Sequence, residues 1–341
     1  MTRGAILGTG SCLPVNRLSN ADLEKLVDTT DEWITSRTGI KCRHIAGPGE
    51  STSKLSATAA LRALDMAGVT AEEIGMIVVG TMSSEMTMPS CACLVQKEIG
   101  AINAFAFDIS AACSGFVYAL ELADKQIRAN PELKVLVVGA ENLSARTNWH
   151  DRNTCVLFGD GAGAVVVGAA EGERGILASK LFSDGRLWEL LSMASAPSLN
   201  PYIDMSPEEA GEFDPSRLGK PFSTEEPYIK MVGREVFKNA VRAMEDSISQ
   251  ALAIADLNGS DIKLVIPHQA NIRILKCLGE RIGIDQEKIY INIHKYGNTS
   301  AATIPIALDE ANREGRLRKD DLLLLCAFGG GFTWGSQILR W

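Results

Sequence analysis

Ala63-Leu64-Asp65-Met66-Ala67-Gly68-Val69 reads, residue against residue, with Ala251-Leu252-Ala253-Ile254-Ala255-Asp256-Leu257. Each stretch closes an amphipathic helix, and the offset from Ala63 to Ala251 is 188 residues. The same offset carries outward. Glu72-Glu73-Ile74 meets Ser260-Asp261-Ile262, and the apolar run Met76-Ile77-Val78-Val79 falls opposite Leu264-Val265-Ile266. Val135-Leu136-Val137-Val138-Gly139 matches Leu323-Leu324-Leu325-Cys326-Ala327, and Ala119-Leu120 matches Ala307-Leu308. Matches in one register point to a duplicated unit. Short apolar strands alternating with helices imply βαβ units and sheets covered on both faces. The expectation is an α/β fold of two similar halves, residues 1–172 and 173–341, about a pseudo-twofold axis.

Each half is expected to close with a Gly-rich hairpin. Phe158-Gly159-Asp160-Gly161-Ala162-Gly163 precedes one strand, and Phe328-Gly329-Gly330-Gly331-Phe332 precedes the other. The segment 194–227 differs in kind. It is rich in Pro, Ser, Glu and Gly and without sustained periodicity, so it reads as a long loop or lid inserted in the second half.

Composition narrows the function. The 341 residues are 46% hydrophobic and 22% charged, as in a soluble globular protein. A net charge of −8 argues against nucleic-acid binding, which needs clustered Lys and Arg. The N-terminus runs from Met1 into Ala5-Ile6-Leu7 without a secretory pattern, and no apolar run approaches the length of a membrane span. Eight cysteines lack any zinc-like spacing, which suits free thiols, no bound metal and a reducing cytoplasm.

Cys113 stands out among them. Asp108-Ile109-Ser110-Ala111-Ala112-Cys113-Ser114-Gly115-Phe116 leads from a strand into a helix, and small residues let backbone and ligand approach the thiol. An arbitrary free cysteine is most often a small buried hydrophobe. At a helix N-terminus the dipole is expected to lower the pKa and favour the thiolate. His268 follows the strand Leu264–Pro267 directly, where α/β folds place binding groups, although alone it fits a structural histidine equally well. Asn298, in Tyr296-Gly297-Asn298-Thr299-Ser300-Ala301, alone fits an ordinary turn. The repeat adds weight: Ala301 is the mate of Cys113 and Gly80 that of His268, so the two turns belong to one pseudo-symmetric site.

The chain resembles the thiolase superfamily, and within it the β-ketoacyl-acyl-carrier-protein synthase III family, over nearly its whole length. The resemblance rests on Asp31-Glu32-Trp33-Ile34, Arg37-Thr38-Gly39-Ile40, the Ala-Cys-Ser-Gly turn, Phe158 to Gly163, Pro267-His268-Gln269-Ala270-Asn271, Gly297 to Ala301 and Ala327 to Phe332, in this order. It implies a thiolase-like fold with βαβαβ halves in an α/β/α/β/α layered arrangement. It also implies a triad of Cys113, His268 and Asn298. Cys113 would take an acyl group from coenzyme A, with the oxyanion held by backbone N–H groups of Cys113 and Gly330. The acyl group would then condense with malonyl-acyl carrier protein, losing CO₂, while His268 and Asn298 stabilise the enolate.

No metal or redox cofactor is implied, because CO₂ loss drives the reaction. By the same resemblance Trp33 and Arg152 would sandwich adenine and Arg37 would meet the coenzyme A phosphates. Gly233, Phe237, Ala270, Asn271 and Phe328 would line the pantetheine tunnel. Gln269, Arg273 and Lys238 would meet the acidic carrier protein, and Met88 would floor the acyl pocket of a partner subunit in a homodimer.

Three rival readings fit the sequence less well. A thiolase would carry a second cysteine at position 327, which is alanine here, with Cys326 turned to the other strand face. A papain-like protease would lack the repeat, and a non-catalytic scaffold would not need the triad. A specialised condensing enzyme, priming a polyketide or joining long acyl chains, is the remaining alternative. His44, His150 and His294 are expected to play no part in the chemistry.

Overall fold

The computed structural model describes residues 2–170, 172–195, 208, 214–217 and 227–341. Most of the expected lid at 194–227 therefore lies outside the described residues. The first half runs β1 (Arg3–Cys12), β2 (Asn16–Ser19), α1 (Asn20–Leu23), α2 (Asp31–Thr38), β3 (Cys42–Ile45), α3 (Thr52–Ala67), β4 (Ile74–Gly80), α4 (Cys91–Ile99), β5 (Phe105–Ile109), α5 (Gly115–Ala129), β6 (Lys134–Asn142) and β7 (Asp160–Ala170). The second runs β8 (Gly175–Ser183), β9 (Leu191–Met193), β10 (Ile229–Met231), α6 (Gly233–Ala255), β11 (Leu264–Pro267), α7 (Ile272–Ile282), α8 (Ile293–Tyr296), α9 (Thr303–Arg313), β12 (Leu322–Gly329) and β13 (Thr333–Arg340).

Two mixed sheets carry the halves. One has the order β1-β7-β6-β4-β5, the other β11-β12-β13-β8. In the first, β4 is parallel to β5 and β6, while β7 is antiparallel to β6 and β1. In the second, β11 is parallel to β12, and β13 is antiparallel to β12 and β8. Exchanging β1, β7, β6 and β4 for β8, β13, β12 and β11 turns one order into the other. A single parallel bridge, Val265 to Ile289, stands where the first sheet has β5.

The sequence offset survives in space. Helix α3 ends at Ala67 and α6 at Ala255; β6 begins at Lys134 and β12 at Leu322. Even the cap geometry repeats, with left-handed Gly68 (φ 64) after α3 and left-handed Asp256 (φ 54) after α6. Aspartate is among the few non-glycine residues that visit this region readily.

Strand alternation sorts the apolar residues into layers. Val135 and Val137 of β6 and Leu323 and Leu325 of β12 face inward, onto Phe116 and Leu120 of α5 and Ile304 and Leu308 of α9. Helices α5 and α9 thus form a buried middle layer, each large apolar side chain there contributing about 2 kcal/mol. Leu136 and Val138 face outward onto α3 and α4, and Leu324 and Cys326 face outward onto α6 and α7. Five layers result, α/β/α/β/α. Cys326 and Ala327 point to opposite faces, into different clusters.

One expected turn is different. The second Gly-rich run does join two antiparallel strands, β12 and β13. The first does not, because β6 ends at Asn142 and β7 starts at Asp160. The chain between them travels outward and brings Arg146, Asn153, Leu157 and Phe158 to a cavity wall. The glycines after it serve close packing: a Cβ at Gly163 would stand 2.7 Å from the backbone of Pro305 and Ile306 in α9. Among the described residues no helix is long and apolar enough to cross a membrane.

Candidate active site

Cys113 sits in a short 3-10 turn, Ala112–Ser114, between β5 and α5. The turn is strapped to the β12–β13 hairpin: the Ser114 hydroxyl donates to the Thr333 carbonyl at 2.9 Å, and the Thr333 hydroxyl donates to the Ala111 carbonyl at 2.8 Å. Gly329 closes the contact, since a Cβ there would stand 2.6 Å from the Cys113 nitrogen. Gly330 also lines the cavity, but its bareness has another cause: a Cβ would meet the Leu191 carbonyl of β9 at 2.9 Å. Burial works against the expected thiolate. It pushes the Cys113 thiol up to about 12, outweighing the nearby Ser300 side chain, which lowers it.

His268 and Asn298 reach the same place from the second half. The His268 N–H donates to the Cys326 carbonyl at 2.7 Å, fixing the residue at the end of β11. Its Nδ1 lies 2.7 Å from Thr303 Oγ1, which is itself 2.9 Å from the Ser300 carbonyl oxygen. Burial pulls the ring down to about 3, so it is neutral near pH 7. Asn298 is pinned by its backbone, accepting from Gly159 N–H at 3.0 Å and donating to the Leu157 carbonyl at 2.9 Å. Its Oδ1 accepts from Ser300 N–H at 2.8 Å, which leaves Nδ2 for the cavity.

Cys113, His268 and Asn298 line one cavity of about 1380 Å³, together with Phe237, Ala270, Asn271, Gly233 and Phe328. It extends from these buried groups to the exposed Arg37, Asn153 and Arg234. At that outer end both guanidinium groups lie on Trp33, Arg37 with its central carbon 4.9 Å from the ring centroid and Arg152 at 5.2 Å. Arg152 is held there by a hydrogen bond to the Asp28 carbonyl at 2.9 Å. An adenine does not fit between Trp33 and Arg152 as they stand, because two van der Waals contacts of about 3.5 Å each are needed. Arg152 has to swing away before that slot opens.

The residues expected to meet the carrier protein separate. Arg273 and Lys238 are exposed on α7 and α6. Gln269 is a correction: it is 1% exposed, its Nε2 donates to the Pro267 and Tyr290 carbonyls, and its Oε1 accepts from Asn292 N–H. It braces the His268 loop and meets no docking partner. Met88 does not line this chain's cavity and is 85% exposed, whereas Met82, Met86 and Thr87 of the same segment do line it. His44 Nδ1–H donates to the Pro14 carbonyl oxygen at 2.6 Å, away from the cavity.

Sequence reasoning passed over Glu141, Ser300 and Thr303. Glu141 is fully buried at the end of β6. Ser300 and Ser83 hydroxyls donate to its two oxygens, the first at 3.1 Å, and Met82 N–H donates at 3.3 Å. Burial pushes its carboxyl up to about 7. The repeat could have flagged Ser300, since it is the mate of Ala112, but nothing in the sequence flags Glu141.

Duplicated halves that pool a thiol, an imidazole and a carboxamide at their junction define a thiolase-like condensing enzyme that transfers acyl groups. The sequence profile of 3-oxoacyl-acyl-carrier-protein synthase III matches residues 107–185, and its C-terminal counterpart matches 252–341. The β-ketoacyl-acyl-carrier-protein synthase III of Desulfotalea psychrophila is 55% identical over 98% of this chain and 99% of its own. The crystal structure of the corresponding synthase from Aquifex aeolicus superposes with a TM-score of 0.88 at 47% identity, covering 99% and 100% of the two chains. A priming β-ketosynthase from a polyketide pathway superposes at 0.86 with 35% identity, covering 99% and 96%. The chain belongs to the β-ketoacyl-acyl-carrier-protein synthase III family.

Proposed function

We propose that Cys113 takes the acyl group from an acyl-CoA and hands it to a carbanion made by decarboxylating malonyl-acyl carrier protein, the first condensation of fatty acid biosynthesis. The observation that carries this reading is the convergence of Cys113, His268 and Asn298 at the buried end of one deep cavity. In loading, the thiol attacks the thioester carbonyl, coenzyme A leaves, and the Cys113 and Gly330 N–H groups hold the oxyanion. In condensation, Asn298 Nδ2 and His268 Nε2 donate to the enolate oxygen as CO₂ departs. The Thr303 hydroxyl donates to the Ser300 carbonyl and so accepts from His268 Nδ1–H, and His268 donates to the enolate from Nε2 once that nitrogen has taken up a proton. Loss of CO₂ supplies the driving force, so the reading calls for no metal or redox cofactor.

Trp33, Arg37 and Arg152 hold the nucleotide end of coenzyme A in this reading, and Gly233, Phe237, Ala270, Asn271 and Phe328 hold its pantetheine arm. Arg273 and Lys238 receive the carrier protein, joined by the exposed Arg234 on the cavity rim. A homodimer, acting in the cytoplasm, completes the reading. The exposed apolar Phe105 on the edge strand β5, with Ile102 just before it, suits contact with a second copy, and Met88 is exposed as well. Peptide mapping after reaction with acetyl-CoA tests the centre of the proposal: the added mass is expected on Cys113. Mass on Cys91, Cys93 or Cys326, with Cys113 unmodified, overturns it.

A further inference from the structure

Arg43 is a fully buried cation whose hydrogen-bond acceptors are all neutral. It is 0% exposed, and its guanidinium donates to the Leu18 carbonyl at 3.2 Å, the Asn20 side-chain oxygen at 2.9 Å and the Val156 carbonyl at 2.8 Å. Among the described residues its Nε has no partner. Taking a cation out of water is costly unless it is well paired. A neutral Met or Leu would fill the same space without that penalty, so filling space does not account for the guanidinium.

The groups it holds belong to two walls of the cavity. Asn20 is itself fixed: its Nδ2 donates to Asp31 Oδ1 at 2.7 Å, in the first turn of α2, and to the Ile40 carbonyl at 2.8 Å, just past the end of α2. On the other side, Val156 opens the run Val156-Leu157-Phe158 along the cavity wall. That run grips the backbone of Asn298. The Leu157 carbonyl accepts from Asn298 N–H at 2.9 Å, Gly159 N–H donates to the Asn298 carbonyl at 3.0 Å, and Phe158 and Asn298 form a parallel bridge. The stem of Arg43 packs against this bridge: a Cβ at Gly159 would stand 3.1 Å from the Arg43 Cβ, and one at Gly297 would stand 3.3 Å from it. The bonds from Cys155 N–H to Asp151 and from Leu157 N–H to Thr154 tie the run only to the loop before it. Among the described residues, Arg43 is the one side chain hydrogen-bonded to the backbone of residues 155–159.

We propose that Arg43 is a positioning residue for condensation: braced on Asn20, its guanidinium fixes the Val156 carbonyl, holds the run 156–159 and thereby aims the Asn298 amide at the enolate oxygen. The proposal rests on Asn298 donating to that enolate. Arg43 does not line the cavity and touches no reacting atom. Its effect is geometric, since moving a donor by about 1 Å can cost about 10²-fold in rate. Loading of Cys113 makes no use of the Asn298 amide, so that half-reaction is expected to be spared.

The experiment follows both half-reactions: acylation of Cys113 by saturating acetyl-CoA, and CO₂ release from malonyl-acyl carrier protein by the pre-acylated enzyme. Arg43→Met should slow CO₂ release about 10²-fold, while loading changes less than about threefold. Arg43→Lys, which keeps the charge but not the planar fork, should fall between Arg43→Met and wild type. The decisive comparison adds Arg43→Met to Asn298→Ala. With the amide gone there is nothing left to aim, so the double variant should release CO₂ as fast as Asn298→Ala alone. A further loss in the double variant, an equal loss in loading, or wild-type CO₂ release in Arg43→Met overturns the positioning role. If Arg43→Met melts below the assay temperature, Arg43→Lys takes its place, alone and with Asn298→Ala, and the same outcomes decide. Wild-type CO₂ release in Asn298→Ala would instead overturn the enolate role of Asn298 on which the proposal rests, so the two failures are distinguishable.

Discussion

Ala112 and Ser300, each one residue before a member of the pair Cys113 and Ala301, share a left-handed backbone, with φ of 45 and 49. Neither is glycine, and non-glycine residues seldom adopt this region. The duplication has therefore preserved a costly turn twice, of the order of 1–2 kcal/mol each. In the first half the turn presents a thiol. In the second it presents Ser300, whose backbone and side chain position the groups around that thiol. The two turns pack on each other at the pseudo-axis, so one strained shape serves both sides of a single site.

The tight packing of this turn gives a first prediction. A methyl at position 329 would press on the Cys113 nitrogen, so Gly329→Ala must displace the turn. Loading by acetyl-CoA is expected to fall about 10²-fold or more, the typical cost of spoiling an oxyanion donor. Stopped reactions weighed by mass spectrometry would show it; loading at the wild-type rate would mean the hairpin does not position Cys113.

Separate half-reactions give a second. Asn298→Ala should still load Cys113 but decarboxylate malonyl-acyl carrier protein about 10²–10³-fold more slowly. Thr303→Val, which removes the hydroxyl that accepts from His268 Nδ1–H, should share that defect, and Thr303→Ser should recover. Release of CO₂ from a pre-acylated enzyme measures the step. Full decarboxylation in Thr303→Val would leave Thr303 a packing residue.

These residues also mark how far the sequence could be read. The offset of 188 located the strands, both helix ends and the two turns, because duplicated apolar patterns leave a periodic trace. Cys113 was legible from its small neighbours. Glu141 was not, because in Val138-Gly139-Ala140-Glu141-Asn142 it looks like an ordinary charge at a strand end. Only folding brings it to Ser300, 159 residues away. Gln269 misled for the opposite reason: a polar residue beside His268 reads as surface, yet its amide satisfies backbone groups that no strand reaches. The pKa of Cys113 was misjudged because a helix terminus is visible in sequence and burial is not.

Stability should report on Glu141 independently of activity. Its carboxyl is raised from 4.5 to about 7 by burial, so the folded chain favours the protonated form. That contribution is complete below pH 4.5 and is lost as pH rises through about 7. Glu141→Gln removes the dependence. Its melting temperature should equal or exceed that of wild type at pH 8, and the difference should shrink towards pH 5. A variant that is less stable at pH 8 than at pH 5, relative to wild type, would show that the carboxylate form is the one the fold prefers.

Assembly is tested at β5, the edge of its sheet. Phe105 is 55% exposed there, and Ile102 and Met88 are more exposed still. A symmetric dimer covering this face is expected at micromolar concentration by sedimentation. Phe105→Asp should shift the protein to monomer and lower condensation, because in the proposed homodimer a second copy walls the acyl pocket. A wild-type monomer with full activity would remove the partner from the site.

The outer end of the cavity separates binding from chemistry. Trp33 carries Arg37 on its ring and Arg152 close by, so a purine has to displace Arg152 to reach it. Stacking a base on an aromatic side chain is worth about 1–3 kcal/mol. Trp33→Ala should therefore raise KM for acetyl-CoA about 10-fold, while kcat changes little, since Trp33 is remote from the thiol. Acetyl-pantetheine has no base to stack, so its kcat/KM should be the same in both proteins. Asp28→Ala tests the latch, although the Asp28 carbonyl remains: it removes the carboxylate 3.5 Å from Arg152 and should ease the displacement, lowering KM for acetyl-CoA slightly. Equal losses for acetyl-CoA and acetyl-pantetheine in Trp33→Ala would mean that Trp33 shapes the tunnel as a whole and does not read the nucleotide.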